Sequence, residues 1–161
     1  EYRMKKQEGF SLVELLIVVA IIAIIAAIAI PSLLTSRMAA NEAGGIQGCR
    51  TIGSAEIAFS ATNNQNYTDM ITLVTQAFLD DRFSNAAPIN GYNYALVAAV
   101  TGTTSAGALP TQFGFTATPA LGLGRFTYGI APDQVVRWQG AAAGYALPAG
   151  VVAGNPIGQT N

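Results

Sequence analysis

The chain has 161 residues, 51% of them hydrophobic, with eight Lys/Arg against nine Asp/Glu, no histidine and one cysteine. Without histidine there is no histidine general base, no histidine metal ligand and no Ser/His/Asp triad. A single cysteine, Cys49, makes neither an internal disulfide nor a zinc ribbon, and a net charge of −1 offers no basic stripe for nucleic acid.

The charge is unevenly placed from the start. Arg3, Lys5 and Lys6 precede Gly9, and then Phe10 to Leu34 is apolar except for Ser11, Glu14, Pro31 and Ser32. As a helix these 25 residues reach roughly 37 Å, enough to cross a hydrocarbon core of about 30 Å with some tilt. A secretory signal carries its small-residue cleavage junction after the apolar run. Here the good junction, Gly9-Phe10, comes before it, so cutting there leaves the apolar segment on the mature chain. The flanking cations stay in the cytoplasm, which directs the C-terminal part outward. Glu14 is the anomaly, since an acid at the centre of a spanning helix costs about 2.5–3.5 kcal/mol. It lies only about 6 Å past Phe10, near the interface, where the cost is smaller. A carboxylate near a helix N-terminus is favourable, and an ammonium on Phe10 would lie four residues away on the same face.

The run Gly9-Phe10-Ser11-Leu12-Val13-Glu14-Leu15-Leu16-Ile17-Val18-Val19-Ala20, closed by Pro31, resembles the class III signal of type IV pilins. Leader and phenylalanine resemble the type IVa subclass. The stretch from Pro31 through Ala43 and on to Ala55-Glu56 is similar to major pilins of delta-proteobacterial or acidobacterial type. Met4 to Gly9 reads as a complete leader, with residues 1–3 expected to lie outside it. The resemblance implies cleavage after Gly9 and N-methylation of Phe10 by a prepilin peptidase/methyltransferase, handling by an inner-membrane assembly platform, and homopolymerisation through the helix. It also implies that Glu14 pairs with the Phe10 ammonium of a neighbouring subunit. Capping of its own helix N-terminus is the alternative. Many type IV pilins clasp a C-terminal loop with a cysteine pair, and this chain departs from that pattern.

Phe10 to about Thr62 reads as one long helix, kinked at Pro31, which lacks an N–H and clashes with the preceding turn. Its second half is amphipathic. Ile46, Cys49, Gly53 and Ile57 fall at helical spacing, widened by Ile52 and Phe59. Gly44, Gly45, Gly48 and Gly53 weaken the helix but let another element come close. Asn63-Asn64-Gln65-Asn66 is a polar turn, and a short helix is expected from Thr72 to Asp81. Tyr92–Val100, Gln112–Thr118, Arg125–Ile130 and Gln134–Gln139 carry the aromatic and β-branched residues of strands, the last two joined by the turn Ala131-Pro132-Asp133. Residues 140–161 are rich in Gly, Ala and Pro and read as packed irregular coil or as a mobile tail, two states that composition does not separate. The expected organisation is a leader (1–9), a spanning helix (10–34) and a soluble head (35–161). The head holds an amphipathic helix (35–62), a connecting loop (63–91), a sheet (92–139) and a tail (140–161). This is an α+β pilin fold, a kinked helix on a small antiparallel sheet.

Little else carries chemistry. Asp80-Asp81, with Asp69 or Asn85, is short of calcium ligands and reads as a solvated loop. Gly122-Leu123-Gly124 follows no βαβ pattern and is no nucleotide loop. Cys49 reads as a small buried residue rather than a nucleophile, and Asn66-Tyr67-Thr68 is a weak glycosylation sequon. No enzyme activity, cofactor, metal or nucleic-acid partner is expected. Three readings remain. The first is a type IV pilus subunit, an inner-membrane prepilin that becomes a surface filament for adhesion or twitching. The second is a pseudopilin of a type II secretion system, disfavoured by the stretch Arg37 to Ala43 and by the lack of an acidic C-terminal loop. The third is a membrane-anchored binding domain or enzyme that never polymerises, disfavoured by the missing catalytic residues and the cleavage-ready junction.

Overall fold

The computed structural model describes residues 9–84, 87–96, 113–140 and 155–156. Its elements are α1 (Leu12–Thr62), α2 (Met70–Thr75), a 3-10 turn (Asp81–Ser84), and strands β1 (Tyr92–Leu96), β2 (Phe115–Pro119), β3 (Phe126–Ile130), β4 (Arg137–Gly140) and β5 (Asn155–Pro156). The chain divides after Ser36 into two compact units.

The first unit is the apolar part of α1. Among the described residues it is the one helix long and apolar enough to cross a membrane, and none of its most apolar stretch is buried. Pro31 lies inside the helix and deprives it of one donor. In the following turn Thr35 Oγ1 and Ser36 Oγ both donate to the Ser32 carbonyl, at 2.9 Å each. Such back-bonding competes with the helical ladder.

In the second unit the remainder of α1 lies on an antiparallel meander in the order β1-β2-β3-β4-β5. The register sets Tyr94 beside Ala117, Ala117 beside Tyr128, and Tyr128 beside Trp138. Cross-strand partners share a face, so Tyr92, Phe115, Ala117, Tyr128 and Ile130 form one apolar surface. They cluster there with Cys49, Ile52 and Phe59 of α1. Small residues make the approach close. A Cβ on Gly45 would stand 3.0 Å from the Tyr92 ring, and one on Gly53 2.6 Å from Ile130 Cδ1. One on Gly48 would collide with the Tyr94 hydroxyl.

That line of glycines explains a correction. Ile57, expected on the buried stripe, is 40% exposed, and Ile46 is only partly buried. The buried positions include the expected Cys49, Ile52, Gly53 and Phe59, together with Gly45, Gly48 and Glu56. Eight residues at 100° per residue put Ile57 about 80° around the helix from Cys49, whereas Glu56 is only about 20° away. The sheet sits where the helix is thin, and the aliphatic residues beside that line are left at its margin.

The connecting loop holds the second correction. In place of a helix from Thr72 to Asp81 there are α2, ending at Thr75, and a separate 3-10 turn beginning at Asp81. Asp69 is the N-cap, in extended conformation, and its carboxylate accepts from the Thr68 and Thr72 hydroxyls. The C-terminus closes with Phe78 N donating to Leu73 O (2.9 Å) and Ala77 N to Val74 O (3.0 Å), around a left-handed Ala77 (φ 61°). This is a Schellman arrangement with alanine where glycine is usual.

Strand limits also shift. β2 starts at Phe115 and not Gln112, whose own position lies outside the described residues, as do positions 97–100 of the first expected strand. β4 starts at Arg137 and not Gln134. Asp133 draws residues 134–136 into the turn. Its carboxylate accepts from Val135 N (3.1 Å) and pairs with Arg137 (2.7 Å), while Gln134 takes φ 59° and its amide donates to Gly53 O (3.3 Å). In the tail, Gly140 ends β4 and Asn155–Pro156 pairs with that strand, and the rest lies outside the described residues.

Candidate functional site: the start of the long helix

Gly9 and Phe10 precede the first turn of α1. Nothing lies within 4 Å of where a Gly9 side chain would begin, and Phe10 is 88% exposed. The peptide bond between them is therefore uncovered by the described residues. Ser11 is the N-cap. Glu14 N donates to Ser11 Oγ (3.2 Å), while Ser11 N (3.1 Å) and Ser11 Oγ (3.0 Å) both donate to Glu14 Oε2. This reciprocal pattern is a capping box, which satisfies donors that the first helical turn leaves open. Ser11-Leu12-Val13-Glu14 ahead of an apolar run is the sequence signal for it. Glu14 stands out in the sequence as a lone acid in an apolar run, whereas Ser11 carries information only when paired with it. Only Oε2 takes part in these bonds. A charge partner at Oε1 is compatible with the same cap, so self-capping and pairing with a second ammonium are geometrically independent.

The other sequence candidates are dispersed. Cys49 is buried, and burial pushes its thiol up to about 12, so it is no thiolate nucleophile at neutral pH. Asp80 pairs with Arg82 at 2.9 Å, and Asp81 accepts from Ser84. With Asp69 capping α2, these acids do not converge, and among the described residues no group of three could hold a metal ion. Asn85 lies outside the described residues. In the sequon, Asn66 Nδ2 donates to Asn63 O (3.0 Å). Gly122-Leu123-Gly124 forms the β2–β3 turn and the approach to Tyr92, not a phosphate cradle.

Two buried acids in the head carry polar work that the sequence did not disclose. Glu42 accepts three bonds from Arg125, from its N (3.0 Å), Nε (2.9 Å) and a terminal nitrogen (3.0 Å). The guanidinium holds the Glu42 carboxyl below its ordinary value despite burial. Glu56 is 0% exposed. Its Oε2 accepts from Thr68 N (3.2 Å) and its Oε1 has no partner. Burial pushes this carboxyl up to about 7, with the nearby Asp69 charge adding to the rise. Both acids lie on a helical stripe that reads as amphipathic, so nothing in the spacing separates them from solvent-facing acids.

A family model described as prokaryotic N-terminal methylation motif matches residues 4–30. No curated protein matches the chain. The motif implies processing by a prepilin peptidase and use by assembly machinery of the pilus kind. It agrees with an apolar helix suited to inner-membrane anchoring before assembly. Residues 4–30 thus support a type IV pilin-like or pseudopilin precursor, a class of structural proteins.

Proposed function

We propose that this chain is the major structural subunit of a type IVa pilus, of delta-proteobacterial or acidobacterial type. It is held in the inner membrane with its C-terminus outside, cut after Gly9 and N-methylated on Phe10. It is then polymerised through α1 into a surface filament that serves adhesion or twitching. The observation that supports this best is the uncovered Gly9-Phe10 bond directly ahead of a capped helix whose apolar surface is exposed among the described residues. Bare apolar surface on that scale needs lipid or other helices around it. In a bundle, Glu14 needs a positive partner, since a lone buried carboxylate is costly. The new Phe10 ammonium of a neighbour supplies it, and Pro31 gives the bend that the packed helix adopts.

Shearing filaments from the cell surface and sequencing the N-terminus of their main protein tests the assignment. The expected result is N-methyl-Phe10 followed by Ser11. A Gly9→Val chain should stay longer by its leader and remain in the membrane, and normal filaments from it would defeat the assignment. If native expression gives no surface filaments while secretion of other proteins fails in the deletion strain, the pseudopilin reading replaces it.

Glu14→Leu separates insertion from assembly. Leucine is cheaper than glutamate in lipid, so membrane content should equal or exceed the parent's. Filament yield should fall to a small fraction, because the charge that sets register is lost. Normal filaments built from Glu14→Leu subunits alone would leave the capping box as the whole role of Glu14.

A further inference from the structure

The β2–β3 turn is held at several points. Asn41 Nδ2 donates to Leu123 O (2.9 Å), Ala120 N donates to Gly91 O (2.9 Å), and Arg125 clasps Glu42 with three bonds. Leu123 N closes the turn onto Ala120 O at 2.9 Å, with Gly122 at φ 75° in the third position, the left-handed site that a type II turn reserves for glycine. At the corner of this fixed turn stands Leu121, with relative exposure 103%. Scattered exposed leucines are ordinary. A leucine at the tip of a turn tied to α1 on one flank and to Gly91 on the other is a rigid apolar probe.

The chain itself limits where that probe can be. The turn is bonded to Asn41 and Glu42, and Asn41 follows Leu34, the last apolar residue of the spanning segment, by only seven positions (41 − 34). Seven residues reach at most about 25 Å fully extended, and about 10 Å as helix. Charge agrees. Over residues 35–43 and 119–125 the formal charges are Arg37, Glu42 and Arg125, a net of +1, which suits an anionic surface. We propose that, in the membrane-held chain, the β2–β3 turn docks on the phospholipid surface and seats Leu121 in its interface. The contact would restrain the head before assembly and be released on extraction. This rests on the membrane-anchored reading above.

The test uses the full chain carrying Leu121→Cys, labelled with a polarity-sensitive fluorophore. The buried native Cys49 is not expected to compete for the label. The chain is reconstituted in phosphatidylethanolamine/phosphatidylglycerol vesicles, with and without brominated acyl chains. Gln76→Cys is the control, on the loop after α2. Its neighbour Phe78 packs 5.7 Å from Phe59, which lies 17 residues along α1 from Glu42, about 26 Å. The label at 121 should shift to the blue and lose most of its emission to bromolipid, and the label at 76 should do neither. A chain that fails to float with the vesicles overturns the anchored reading and this proposal with it. A chain that floats with a water-exposed label at 121 overturns this proposal alone. A blue shift without bromolipid quenching also overturns it, and assigns the turn to a second copy of the chain.

Discussion

Phe59→Asp in the isolated head, residues 36–161, should cost about 5 kcal/mol or more. The Phe59 ring is 1% exposed and stacks edge-on against Phe78 at 5.7 Å. Removing it forfeits the burial of a large side chain, about 3–5 kcal/mol by itself. The aspartate left behind would then be buried three residues from Glu56, a carboxyl already short of one partner. Most small domains have only about 5–15 kcal/mol to lose, so the variant should be largely unfolded at 25 °C. Ile57→Asp, two residues away, should change stability by no more than about 0.5 kcal/mol, because that side chain faces solvent. Urea denaturation followed by circular dichroism reads both. Equal losses for the two variants would mean that the helix presents a different face to the sheet.

The second large effect is a dependence on pH. Glu56 has an ordinary value of 4.5 when unfolded and about 7 when folded. The folded chain therefore holds its proton more tightly. The resulting stability is complete below about pH 4.5 and is lost as the pH rises through about 7. The loss should approach about 3 kcal/mol by pH 8. Glu42 runs the other way. Its folded value is lowered by Arg125, so its contribution is present above pH 4.5 and is lost as the pH falls through the folded value. The head should thus be most stable in mildly acidic solution and weaker at pH 8. Glu56→Gln keeps an acceptor for Thr68 N and cannot ionise. It should remove most of the fall between pH 5 and pH 8, with little change at pH 5. An undiminished fall in the variant would assign the alkaline weakness to another group.

These expectations show where residue patterns carry information. The anchor is legible because it depends on run length and on the position of one small residue, and both are linear properties. The capping box was equally readable in Ser11 and Glu14, two residues that must be considered together. The helix-on-sheet layout follows from periodicity, yet the helix phase was misjudged at Ile57. Hydrophobic weight points to isoleucine, whereas close approach selects Gly45, Gly48 and Gly53, residues with no weight at all. The end of α2 was invisible because Ala77 takes a left-handed conformation that sequence assigns to glycine, and Gln134 hides the start of β4 in the same way. Buried Glu42 and Glu56 depend on partners 83 and 12 residues away, beyond any local pattern.

The glycine line has a consequence for the order of folding. Four glycines, Gly44, Gly45, Gly48 and Gly53, make the second half of α1 a poor helix by itself, each costing up to about 1 kcal/mol relative to alanine. The surfaces that compensate are Tyr92, Tyr94 and Ile130, all encoded far downstream. The helix is made first, and the surface it rests on is complete only once β3 has emerged. Its hydrogen bonds to the β2–β3 turn close loops of more than eighty residues. Contacts that distant form slowly, because the chain must give up its freedom before any of them form. In the membrane-held chain proposed above, the apolar anchor would keep the unfinished head tethered and dilute during that interval, away from other strands with which its sheet edge could pair.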